Sequence, residues 1–194
     1  WSSDVCSSDL ICVLAASLLS LQVPFLPVHL LFINLVTDSL PAIAIGMEHS
    51  TRDILKEKPR DPSVGILTPA TMKQLGVQGI LIAIVTMSAY FLGLKESWEI
   101  ATTMAFSTLC LSRLFHGFNC RSQRSLYRIG LFTNKYSILA FIIGFCFLNA
   151  ILLWQPLHSL FSVTTITITQ LFTIYGLAFL PTLLIQAGRM LRHR

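Results

Sequence analysis

The sequence predicts an all-α integral membrane domain, and three observations lead there. Of 194 residues, 54% are hydrophobic and only 12% charged, with mean hydropathy +0.70, too apolar for an ordinary soluble domain. The charged residues avoid the apolar runs and gather between them, as in chains that thread a bilayer. The runs have the length of bilayer-crossing helices, about 20 residues each. They read as helices, because lipid offers no partner for an exposed strand edge.

In chain order, a short apolar piece at residues 11–21 is followed by five full spans, expected at 23–47, 75–94, 100–118, 137–154 and 163–188. Pro24 and Pro27 shape the tight turn before the first full span, and Pro181 is expected to kink the last. Trp98 and Trp154 fall where helices meet one surface, as interfacial aromatics do. Thr164, Thr165, Thr167 and Thr169 read as the start of the last helix, with packing or hydroxyl back-bonding as their role. Asn149 and Gln170 are expected to bond between helices.

Basic residues orient the chain. Arg52, Lys56, Lys58, Arg60 and Lys73 follow the first full span, Arg121, Arg124, Arg128 and Lys135 follow the third, and Arg189, Arg192 and Arg194 close the chain. The opposite side holds only Lys95, beside Glu96 and Glu99, so twelve cations face one. By the positive-inside rule the basic loops and the C-terminus are cytoplasmic. The net charge of +5 is therefore a matter of topology, with the lipid bilayer as partner and no nucleic acid implied. Cys12, Cys110, Cys120 and Cys146 are scattered, with neither a Cys-x-x-Cys nor a neighbouring His, and read as small buried apolar residues.

The chemistry is concentrated in Asn34, Thr37 and Asp38. Asp38 is the one acid inside the long apolar runs, and a charge at the bilayer centre costs at least about 2.5 kcal/mol on insertion scales. In a helix, Asn34 and Asp38 stand at i and i+4 with Thr37 beside them. Pro41 has no N–H for the carbonyl of Thr37, and freed backbone oxygen with Asn, Thr and Asp oxygens suits a hard cation. The Thr37 hydroxyl could equally bond back to the carbonyl one turn earlier. His29 is expected to pack at the start of the same helix; His116 and His158 are weaker candidates still.

Residues 1–10, Trp-Ser-Ser-Asp-Val-Cys-Ser-Ser-Asp-Leu, are polar where the next eleven residues are apolar, and resemble the conceptual translation of a sequencing-library adapter. They are expected to be an adapter-derived artefact, with the domain at 11–194 truncated in its first helix.

The run from Pro27 to Ala42, with Asn34-Leu35-Val36-Thr37-Asp38-Ser39-Leu40-Pro41 inside it, resembles the sixth transmembrane helix of P-type calcium-transporting ATPases. The loop from Glu48 to Pro69 and the four later spans resemble the rest of that C-terminal membrane domain, helices five to ten in all. The resemblance implies that Asn34 and Asp38 ligate Ca²⁺, with the helix unwound around them, and that the loop from Glu48 to Pro69 contacts the phosphorylation domain. The remaining ligands, and the ATP- and Mg²⁺-handling domains, would come from the missing N-terminal part of the same pump. The sequence contains no Asp-Lys-Thr-Gly-Thr, so this chain alone should be inactive. Where two-site pumps place a ligand Glu in the eighth helix, alignment from Ala105 puts Arg113. A guanidinium cannot ligate Ca²⁺. This implies a one-site pump of the plasma-membrane and bacterial kind, located in the cell membrane, with Arg113 as counter-charge to Asp38. The competing reading has Arg113 snorkelling to the cytoplasmic surface. Alternatives for the whole are a P-type pump for Mn²⁺, Na⁺ or H⁺, or a non-ATPase carrier or subunit using Asp38 as proton relay.

Overall fold

The computed structural model of the chain describes residues 2–47, 69–120 and 134–192. The loop bearing Arg52, Lys56, Lys58, Pro59 and Arg60, and the interval bearing Arg121, Arg124 and Arg128, lie outside the described residues, as does Arg194.

Every regular element among the described residues is helical. Helix α1 (Ser2–Leu18) is followed by α2 (Pro27–Phe32), a π-helical turn (Ile33–Asp38) and α3 (Ser39–Gly46), which together form one interrupted rod. Then come α4 (Pro69–Leu94), α5 (Trp98–Cys120), α6 (Lys135–Leu153), the short α7 (Gln155–Phe161) and α8 (Ile168–Arg192). Among the described residues, four helical stretches are long and apolar enough to cross a bilayer: Pro27–Gly46, Met72–Leu94, Lys135–Leu153 and Ile168–Met190. Together they make this an integral membrane protein.

Helix α5 is long enough as well, with 23 residues, but carries Thr102, Thr103, Ser107, Thr108, Ser112 and Arg113. It occupies the centre of the bundle, packed against α4, α8, α6, α3 and the π-helical turn, and is buried almost all round from Ala101 to Asn119. A helix enclosed by protein need not be apolar, provided its polar groups bond. Several do so within the helix: the Thr103 hydroxyl donates to the Glu99 carbonyl at 2.8 Å and Ser107 to the Thr103 carbonyl at 2.6 Å. The connection from α4 to α5 is tight because Gly93 lets the backbones meet. A Cβ built there would lie 2.5 Å from the Cα of Ala101.

The outer faces are apolar instead, with Ile84 on α4, Phe147 on α6 and Phe172 on α8 all exposed, a surface suited to lipid. Helix ends differ from expectation at several places: α1 starts at Ser2 rather than 11, the rod at Pro27 rather than 23, α4 at Pro69 rather than 75, and α8 ends at Arg192 rather than 188. Helix α1 stops at Leu18 rather than continuing to 21, and Ser20 takes a left-handed conformation, φ 53°. The last helix starts at Ile168 rather than 163, which leaves Thr164 and Thr165 outside it. The cause is a capping box: the Gln170 side chain accepts from the Thr167 N–H at 2.7 Å, and the Thr167 hydroxyl accepts from the Gln170 N–H at 3.4 Å. Pro181 lies inside α8.

Candidate functional site

The interrupted rod is the product of Pro41 and its neighbours. A proline withholds one N–H and its ring crowds the carbonyl a turn earlier, so the helix must bend, break or widen before it. Here it widens. The rod is not unwound around Asn34 and Asp38, contrary to the implication of the resemblance; it stays wound as a π-helical turn over Ile33–Asp38. Side-chain hydroxyls hold that geometry. Thr37 Oγ1 donates to the Ile33 carbonyl at 2.7 Å, and Ser39 Oγ donates to the Asn34 carbonyl at 2.9 Å. The Ser39 N–H turns to the Val36 carbonyl. Single π-helical turns inside α-helices are rare and occur often at functional sites.

The three oxygen-bearing residues separate in burial. Thr37 is fully buried, its hydroxyl committed to the Ile33 carbonyl. Asp38 faces the bundle, its side chain 16% exposed. Asn34 stands on the exposed side of the rod, next to exposed Leu31 and Leu35. The two expected ligands thus stand in different surroundings. Among the described residues no three His, Cys, Asp or Glu side chains come together as a metal cluster.

Arg113 meets Asp38. Its side chain is fully buried and does not extend to a surface, so the snorkelling alternative fails. Nη1 donates to both Asp38 oxygens, at 3.1 Å and 3.0 Å, across 75 residues of sequence. Nη2 donates to Ser8 Oγ at 3.2 Å and pairs with Asp9. One guanidinium thus links α5 to the π-helical turn and to α1.

The histidines and amides hold helices together. His29 is fully buried and stacks on Phe106, with ring centroids 4.4 Å apart. Its Nδ1 accepts the Leu26 N–H at 3.3 Å, which assigns the proton to Nε2, 2.8 Å from the Phe161 carbonyl. That bond ties α2 to the end of α7, as a packing role requires. His158 sits 3.1 Å from the Leu152 carbonyl, joining α7 to α6. Asn149 accepts from the Tyr175 hydroxyl, joining α6 to α8. Gln170 donates to Glu96 at 2.8 Å as well as capping α8. His116 is buried in α5, and Cys12 and Cys110 are fully buried, but Cys120 is half-buried and Cys146 is exposed on α6, against the expectation for all four.

Sequence reading missed Asn134. Its Oδ1 accepts the N–H groups of Tyr136 and Ser137, at 2.9 Å and 3.2 Å, and its Nδ2 donates to the Ala44 carbonyl at 3.0 Å. An Asn directly before Lys-Tyr-Ser and an apolar run was the available signal for an N-cap. Its reach to α3 had no signal in sequence.

A bilayer-length helical bundle with a carboxylate–guanidinium pair at a helix break defines a polytopic membrane domain with a charged interior. Comparison with known proteins makes the class specific: residues 22–191 match the family described as cation transporting ATPase, C-terminus, and the chain belongs to that family. A calcium-transporting ATPase of Bacillus subtilis is 33% identical over 189 residues, covering 96% of this chain and 21% of that protein. A calcium-transporting ATPase of Listeria monocytogenes is 42% identical over 137 residues, covering 70% of this chain and 16% of its own. The calcium-transporting ATPase type 2C member 1 of Pongo abelii is 28% identical over 168 residues, covering 84% of this chain and 18% of that protein. The chain therefore spans about a fifth of the length of the curated relatives it matches.

Proposed function

We propose that the chain is the C-terminal ion-translocating membrane domain of an ATP-driven Ca²⁺ pump and supplies part of one intramembrane Ca²⁺ site. The observation that carries this is the Asp38 carboxylate, held at a π-helical turn inside the family-matched region and facing a buried Arg113. Asp38 is the principal ligand, a hard anionic oxygen suited to Ca²⁺. Thr37 contributes its backbone carbonyl, since its hydroxyl is engaged with Ile33. Asn34 contributes from the exposed side of the rod, where a helix from the rest of the polypeptide completes the shell. The phosphorylated aspartate and the sites for ATP and Mg²⁺ belong to that remaining part, so the chain alone is inactive.

Arg113 is the counter-charge. Its Nη1 occupies both Asp38 oxygens, so a cation reaching Asp38 must displace or share that nitrogen. A fixed guanidinium where a second site would need an acid limits the domain to one Ca²⁺ per cycle. The pair between Arg113 and Asp9 has no part in the native site, because residues 1–10 are held to be adapter-derived and the domain to occupy 11–194. The bundle is read as five full spans plus one truncated helix, with α5 crossing as a protein-enclosed span. The C-terminus is cytoplasmic and the membrane is the cell membrane.

The test is Asp38→Asn in the complete pump. Replacing the carboxylate with a neutral amide removes the anionic ligand while keeping its shape. Ca²⁺-dependent phosphoenzyme formation from ATP is expected to be abolished, and wild-type formation would refute the assignment.

A further inference from the structure

Asn134 joins two helix ends of opposite polarity. Helices leave their first N–H groups and last carbonyls without partners in their own ladder. Asn134 serves both kinds at once: its Oδ1 caps the start of α6 through Tyr136 and Ser137, and its Nδ2 donates to Ala44 in the last turn of α3. The side chain is buried, with 6% of the residue exposed, and so is Ala44, at 3%. The contact crosses 90 residues of sequence.

Position gives this stitch its consequence. The π-helical turn lies between α2 and α3, so α3 joins the rod through a widened turn. Helix α3 has eight residues, and its neighbours are α6 and α5. Asp38 is the residue immediately before it, and Ala44 lies six residues on, roughly 9 Å at 1.5 Å rise per residue. A tilt of α3 that is permitted at Ala44 therefore moves Asp38 relative to Arg113 on α5. Packing opposes the tilt without direction, whereas the amide bond fixes one register.

We infer that Asn134 is a positioning residue for the cation site, holding α3 to α6 so that Asp38 meets its partners. This role rests on the proposed Ca²⁺ site. The carboxamide is needed for its donor as well as its acceptor, and that makes the role separable from capping. Asp is as good an N-cap as Asn. Asn134→Asp keeps an acceptor for Tyr136 and Ser137 but removes the donor to Ala44.

The experiment uses the complete pump and measures phosphoenzyme formation against Ca²⁺ concentration, alongside thermal unfolding in detergent. For Asn134→Asp the half-saturating Ca²⁺ concentration is expected to shift by roughly 2- to 10-fold, the size of one lost hydrogen bond, with unchanged maximal phosphoenzyme. The unfolding temperature should fall by only a few degrees, as the loss of one buried donor implies, with the protein still folded at the assay temperature. Asn134→Ser, a shorter N-cap that cannot span to Ala44, should show the same shift and decides the matter if the carboxylate prevents folding. Wild-type Ca²⁺ dependence in a folded variant overturns the inference, as does lowered stability without a Ca²⁺ shift. Failure of both variants to fold also overturns it, because it would mark Asn134 as a structural brace. If Asp38→Asn abolishes the Ca²⁺ response while Asn134→Asp leaves it unmoved, the site stands and only this inference falls.

Discussion

At the scale of single residues, the decisive pair is Arg113 and Asp38. Two charges withdrawn from water are tolerated only when they bond well, and removing one partner of a buried pair typically costs about 3–5 kcal/mol. The geometry meets that demand, with Nη1 reaching both carboxylate oxygens at 3.0–3.1 Å. Arg113→Glu in the complete pump replaces the cation by an acid beside Asp38. The expected outcome is a changed number of Ca²⁺ ions bound per phosphoenzyme, read by equilibrium binding of labelled Ca²⁺, together with an altered pH dependence. Wild-type stoichiometry and pH profile would remove the counter-charge role. The resemblance implied this pair, by putting Arg113 where two-site pumps carry a ligand Glu, while the sequence alone left snorkelling open. The position of Asn34 was not legible. An i, i+4 spacing places Asn34 and Asp38 near one face of the rod, but it does not say which neighbours cover each residue: Asn34 is exposed while Asp38 meets Arg113.

At the scale of elements, lengths and order could be read from apolar periodicity, while ends depended on side-chain bonds. The last helix shows the difference. The Thr/Ile run from Thr164 to Thr169 is apolar enough to be taken for helix, yet its first residues are spoken for elsewhere: the Thr164 N–H donates to the Thr103 hydroxyl on α5 at 3.1 Å. The helix then starts where Thr167-Ile168-Thr169-Gln170 forms a capping box, a Thr-x-x-Gln signature present in the sequence and missed. Thr167→Ala should therefore destabilise the domain by about 0.5–1 kcal/mol, near the low end for lost N-caps because the hydroxyl bond is long. Thr164→Ala is the matched control, since its contact to Thr103 is through the backbone. Thermal unfolding in detergent distinguishes them, and equal stabilities of the two variants would show that the box contributes nothing. Helix α5 gives the complementary lesson. Its hydroxyls lower its hydropathy, yet Thr103 and Ser107 bond within the helix and its neighbours enclose it.

At the scale of the whole molecule, two kinds of apolar surface follow from one composition. The outer faces of α4, α6 and α8 carry scattered exposed Ile, Leu and Phe, and the hydroxyls of Ser88 and Thr173 bond back to carbonyls of their own helices, as lipid contact requires. The α2–π–α3 rod instead exposes Leu31, Leu35 and Ile43 together with Asn34, an amide that lipid cannot satisfy. On the proposed function, that face is the seat assigned to the rest of the pump. Orientation is set by charge rather than by packing. The proposed orientation assigns twelve basic residues to one side and Lys95 to the other, Arg194 among the twelve. Lys95 is exposed at the turn between α4 and α5. The arrangement predicts that a cysteine introduced at Lys95, in a background with the native cysteines replaced by Ala, is labelled by a membrane-impermeant maleimide on intact cells. One introduced at Ser122, in the basic interval, should react only after permeabilisation. Labelling of Ser122→Cys on intact cells, with Lys95→Cys protected, would invert the topology. An inverted domain would turn the loop joined to α3 away from the cytoplasm and from any ATP-driven partner, so this experiment bears on the pump reading as directly as any ligand substitution.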